Sequence, residues 1–144
     1  MIKELFDNVL RDIAKPVVEF NVELKELLND MLETMEANNG VGLAAPQIGI
    51  SKQIIVLRFD GITYKLVNPV IIKQEGKQNS EEGCLSLPNV KGRVFRPEKV
   101  VVKAQDENGE EVNLIGRYDL ARVLSHEIDH LHGILFIDKL RKEY

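Results

Sequence analysis

Tryptophan is absent from this 144-residue chain, other aromatic residues are few, and cysteine occurs once. With aromatics at only 6%, the core must be built from aliphatic side chains. A lone cysteine excludes an internal disulfide and leaves Cys84 as a buried small hydrophobe, a reactive thiol or a metal ligand. No run approaches the roughly 20 apolar residues that span a bilayer, and Glu4, Asp7 and Arg11 interrupt any secretory-type stretch after Met1. The expected compartment is therefore the cytoplasm, with no membrane partner. Neither sign of charge dominates: 19 basic and 23 acidic residues give a net charge of -4, mixed along the chain. That balance excludes the concentrated basic stripe of a nucleic-acid groove.

The remaining composition, 44% apolar and 29% charged, is that of an ordinary globular protein, and residues 1–144 read as a single domain. After a short apolar segment around Leu5, Phe6, Val9 and Leu10, Pro16 interrupts, and Asn21 is placed to cap a helix. Leu24, Leu27, Leu28, Met31, Leu32 and Met35 recur at three- and four-residue steps, the stripe an amphipathic helix buries, and Gly40 ends it. The glycine-punctuated stretch from Gly40 to Gly49 reads as a tight turn packed on the core. Ile54 to Phe59 and Ile62 to Ile72 flank Asp60-Gly61, the signature of a β-hairpin, with Asn68-Pro69 bending the second strand. A polar loop is expected from Lys73 to Ser80. Val100 to Val102 and Glu111 to Leu114 suggest another hairpin across Asp106 to Gly109. Leu120, Val123, Leu124, Glu127, Ile128 and Leu131 mark a second helix, halted near Gly133. The fold class is α+β, with mostly antiparallel sheets packed around a C-terminal metal-binding helix and an N-terminal amphipathic helix.

Chemistry concentrates in His126-Glu127-Ile128-Asp129-His130. Residues four apart on a helix stand one turn from each other on the same side, so both rings can grip one cation. Glu127 lies about 100° around the helix, towards apolar packing, where a carboxylate is costly unless something cationic or protic engages it. An arginine, Arg93, Arg96 or Arg122, could do so; a metal centre could as well. Catalytic sites of this type keep three protein ligands and one exchangeable position, so a third ligand must come from elsewhere. His132 points away from the pair, leaving a carboxylate or Cys84, whose thiolate is a soft ligand in a glycine-flanked bend.

Three segments, Gly40-Val41-Gly42-Leu43-Ala44-Ala45-Pro46-Gln47, Glu82-Gly83-Cys84-Leu85-Ser86 and His126-Glu127-Ile128-Asp129-His130-Leu131-His132-Gly133, occur in the order of the three motifs of bacterial-type peptide deformylases. The chain resembles that family from Leu10-Arg11 through Leu135-Phe136-Ile137-Asp138. The resemblance implies that Cys84, His126 and His130 bind one divalent metal ion, Fe²⁺ first, with Zn²⁺, Ni²⁺ or Co²⁺ as possible substitutes. It implies Glu127 as general acid/base, and Gln47 with the backbone N–H of Leu85 as donors to the developing oxyanion. Gly42 and Leu43 would border the bound peptide, with Val41 and Val123 as pocket residues. The implied activity is removal of the N-formyl group from N-formylmethionyl peptides and nascent polypeptides, with transient proximity to the ribosome. A monomer is the expected state, since no heptad repeat or second histidine cluster demands symmetry. Three positions depart from the family pattern: Ser125 in place of glutamine, Lys91 in place of an arginine, and Tyr118 where glycine is common. Two other readings use the same residues, a zinc endoprotease and a structural metal module closed by a fourth protein ligand.

Overall fold

The computed structural model describes residues 8–84 and 86–139; of the first apolar segment, Leu5 and Phe6 lie outside the described residues. A 3-10 turn at Asn8–Arg11 leads to helix α1, Val22–Ala37. The Asn21 side chain caps α1 by accepting from Leu24 N–H at 3.0 Å. Its apolar stripe buries Leu24, Leu28, Met31 and Met35, and Asn39, at φ 56°, ends the helical run just before Gly40. Strands follow at β1 (Gly42–Ala44), β2 (Ile54–Phe59), β3 (Ile62–Glu75), β4 (Gln78–Cys84), β5 (Leu87–Arg96), β6 (Lys99–Gln105) and β7 (Glu111–Arg117). Helix α2 spans Asp119–His130.

Five strands form one antiparallel sheet in the order β1-β2-β3-β6-β7, while β4 and β5 pair separately. Strand β2 shows why the sheet sits in the middle. Ile54 and Val56 pack with α1, whereas Ile55 and Leu57 pack with Leu124, Ile128 and the rest of the α2 face. Side chains alternate sides along a strand, so a continuous apolar run serves two cores at once. Each such side chain, fully removed from water, contributes roughly 1.5–3 kcal/mol. Together they clamp α2 against the sheet.

The Asp60-Gly61 turn takes positive φ at both residues (49° and 76°), as a two-residue hairpin between right-twisted strands requires. Asn68, at φ 51°, lies at a register shift in β3, and its side chain binds both Val17 N–H (2.8 Å) and Val17 C=O (2.9 Å). The bend expected at Asn68-Pro69 therefore also anchors the chain ahead of α1. The polar loop expected from Lys73 to Ser80 is not a loop. Strand β3 continues to Glu75, and after Gly76 and Lys77 strand β4 begins at Gln78. Polar residues serve there because this end of β3 is exposed, and Glu75 pairs with Lys73 at 3.0 Å and faces Lys99 at 3.9 Å across the ladder.

Candidate metal centre

Helix α2 places the His126 and His130 rings with centroids 5.1 Å apart, the one-turn neighbourhood their spacing calls for. One ligand atom from each of His126, Glu127 and His130 lies within 4.8 Å of the others, and all three residues are buried. These three form a metal-binding triad. His132, by contrast, is exposed.

The first histidine is oriented from behind. Glu82 on β4 accepts from His126 Nδ1 at 2.7 Å, so with Glu82 ionised the ring carries its proton on Nδ1 and keeps the Nε2 lone pair for a metal. Glu82 is 2% exposed. Burial alone would raise its pKa, but hydrogen bonds from Arg96 and His126 outweigh that and hold it at about 2. Arg96 on β5 donates to Glu82 through Nε and Nη2, both at 2.8 Å, and through Nη1 to Asp129 of α2 at 2.5 Å. Burial, and then the neighbouring His126, push His130 well below the ordinary imidazole range, which keeps it neutral and able to ligate.

Glu127 is 5% exposed, and burial lifts its carboxyl to about 7; the His126 charge lowers it, and nearby Glu82 raises it again. Arg96 does not satisfy Glu127, because Glu82 and Asp129 occupy its fork. Among the described residues Glu127 Oε1 has no hydrogen-bond partner. A buried carboxylate beside two imidazoles, with an oxygen left unsatisfied, fits a site in which a divalent cation sits close by. Its other boundary is β1: a Cβ on Gly42 would come within 2.5 Å of Glu127 Oε2.

The Gly40–Gly49 stretch is an edge strand running into a 3-10 turn, Ala45–Ile48, rather than a simple turn. That turn buries Gln47, which is 1% exposed. Its Oε1 accepts from Ala44 N–H at 2.9 Å and its Nε2 donates to Ser86 Oγ at 3.3 Å, which fixes which end of the amide faces Ser86. Ser86 belongs to the segment that carries Cys84, and it is fully buried. Cys84 closes β4, paired with Leu87 after a register shift that follows Gly83; its side chain, and Leu85 altogether, lie outside the described residues. Val41 is 54% exposed beside Gly42, and Val123 is buried in the core between α2 and the sheet.

The three departures noted in the sequence fall around this centre. Ser125 is buried, and among the described residues its Oγ has no hydrogen-bond partner. Tyr118 precedes α2 at φ 51° and ψ -113°, a conformation suited to glycine. Lys91 is exposed on β5. Nothing in the local sequence pattern gives Glu82, Arg96 and Asp129 a shared task. Strand alternation carried a signal, because it puts Ser80 and Glu82 of β4 on the buried side, along with Val94 and Arg96 of β5.

A metal-binding helix packed on antiparallel sheets, with a buried carboxylate between its two histidines, defines a metal-dependent hydrolase of amide bonds. The family model for polypeptide deformylase matches residues 1–144. A peptide deformylase from Syntrophomonas wolfei is 53% identical over 133 residues, covering 92% of this chain and 88% of that protein. The crystal structure of peptide deformylase from Thermotoga maritima matches with a TM-score of 0.97 at 40% identity, covering 99% of this chain and 97% of that one. That of a peptide deformylase from Legionella pneumophila gives a TM-score of 0.95 at 46% identity, covering 98% and 85%. The chain belongs to the peptide deformylase family. The activity carried by that membership is hydrolysis of the N-formyl group from the N-terminal formylmethionine of polypeptides, with release of formate.

Proposed function

We propose that Cys84, His126 and His130 hold one divalent cation, Fe²⁺ in the cell, with Zn²⁺, Ni²⁺ or Co²⁺ able to stand in, and that Glu127 moves the protons of the reaction. The observation that carries this reading is the Glu127 carboxyl, buried against both imidazoles and poised near neutral pH by its burial. When bound, the cation supplies Lewis acidity, polarising the formyl carbonyl and lowering the pKa of water. Glu127 accepts a proton from the attacking water and then returns it to the departing amine of methionine, so that formate and a free N-terminus result. General acid/base work of this kind contributes about 10²–10⁴-fold in rate.

Gln47 and the backbone N–H of Leu85 donate to the oxyanion as the carbonyl becomes tetrahedral, each such donor being worth roughly 2.7–4 kcal/mol. Support for Gln47 comes from its anchored Oε1, which leaves the amide Nε2 as the end able to donate. Glu82 holds His126 in the ligating tautomer. Gly42 and Leu43 border the peptide, and exposed Val41 lies on that rim.

In this reading residues 1–144 act as one domain and as a monomer, in the cytoplasm, on nascent chains close to the ribosome. No helix among the described residues is long and apolar enough to cross a membrane. The test is formate release from formyl-Met-Ala, set beside acetyl-Met-Ala and a peptide capped at both ends. Rapid turnover of the formyl substrate alone supports the proposal. Comparable cleavage of the acetylated or internal bonds would instead favour an endoprotease.

A further inference from the structure

Two separate pieces of chain supply the proposed ligands. The β4–β5 hairpin carries Cys84, two residues beyond Glu82, and α2 carries His126 and His130 on either side of Asp129. Arg96 reaches both pieces. Its Nε and Nη2 grip Glu82 on the hairpin while Nη1 grips Asp129 on the helix, and the Arg96 side chain is 1% exposed. Glu82 alone would neutralise Arg96. With Asp129 added, one guanidinium joins two carboxylates, and Glu82 in turn adjoins His126 through Oε1. A carboxylate hydrogen-bonded to the far nitrogen of an imidazole strengthens the ring as a ligand.

We infer that Arg96 is a positioning residue for the metal, its fork fixing the hairpin against α2 so that Cys84 meets the same cation as the two histidines, with Asp129 as the helix-side anchor. This rests on the reading of Cys84 as third ligand. Lysine could not substitute, because a point charge on a flexible stem cannot hold three oxygens in a fixed plane. The role goes beyond stability: it sets the affinity and ligand field of the bound ion.

The experiment is Co²⁺ titration of the full chain under anaerobic conditions, for the wild type, Arg96→Lys and Asp129→Asn. Affinity is read by chelator competition, geometry by the ligand-field bands and the thiolate-to-cobalt charge-transfer band, and folding by circular dichroism. A folded Arg96→Lys protein should bind Co²⁺ about 10–100-fold more weakly, with a diminished charge-transfer band. Asp129→Asn should shift both readouts in the same direction by less. Because Asp129→Asn leaves the Glu82–Arg96 pair in place, it decides the matter alone if Arg96→Lys fails to fold. A lowered melting temperature with unchanged affinity and spectra would reduce Arg96 to a structural residue and overturn the inference. A wild-type spectrum with no thiolate band would overturn the assignment of Cys84 itself, a result distinct from a wild-type band that persists unaltered in both variants.

Discussion

Gly42 and Glu127 are in direct contact across the gap between β1 and α2: a Cβ built on Gly42 would stand 2.5 Å from Glu127 Oε2 and 2.9 Å from its Cγ. The edge strand thus presents bare backbone where the carboxylate needs room. Gly42→Ala should displace Glu127 while leaving both histidines in place. The expected outcome is a fall in kcat of about 10²-fold, since a misplacement near 1 Å can cost that much. Metal content and melting temperature should change little. Steady-state kinetics on a metal-matched preparation checks it, and unchanged turnover would mean that the contact is irrelevant.

Proton traffic offers a second test. Burial holds Glu127 near pKa 7 in the metal-free protein, so at neutral pH about half the molecules carry the proton. A divalent cation favours the ionised carboxylate, and metal uptake should therefore release a proton from Glu127, the more so as pH falls below 7. His130, already neutral, adds nothing. Calorimetry in buffers of different ionisation enthalpy should find fewer protons released by Glu127→Gln than by wild type at pH 6.5. Equal release would place that proton elsewhere.

Acid stability follows from Glu82. Its folded pKa of about 2 lies below the ordinary 4.5, so its contribution to stability is complete above about pH 4.5 and is lost as pH falls towards 2. The size is roughly 3 kcal/mol at one pKa unit per 1.36 kcal/mol. Urea unfolding of the metal-free chain between pH 6 and pH 3 should show this decline, and Glu82→Gln, destabilised throughout by leaving Arg96 half-paired, should show a flatter one. Parallel slopes in the two proteins would exclude Glu82 as the source.

Tyr118 enters α2 at φ 51° and ψ -113°, and its side chain is 62% exposed, so little burial offsets the strain. Such a conformation costs a side-chain-bearing residue about 1–3 kcal/mol, while glycine gives back part of that through its freer unfolded state. Tyr118→Gly should raise stability by about 1 kcal/mol, or roughly 2–4 °C in Tm for a chain of this size. A thermal melt with no rise would show that Tyr118 makes a compensating contact.

Much of this architecture is legible in the amino-acid sequence. The stripe from Leu24 to Met35, the Asp60-Gly61 turn and the four-residue spacing of His126 and His130 each express one local period or turn rule, and all three reappear where expected. The β4–β5 hairpin is hidden in the sequence because polar residues fill several of its buried positions. Glu82 and Arg96 occupy inward sites that a hydrophobic pattern would leave to aliphatics, and they are tolerated there because they satisfy each other. Such pairing is long-range and leaves no periodic trace. The same holds for Gly42 against Glu127, whose contact joins positions far apart in the chain.

The most direct measurement is formate release from formyl-Met-Ala by wild-type and Glu127→Gln protein, both prepared anaerobically and matched for bound metal. If Glu127 carries the proton, the variant keeps its metal and its fold yet loses about 10²–10⁴-fold in kcat. A Glu127→Gln protein turning over at the wild-type rate with its metal in place would contradict that role.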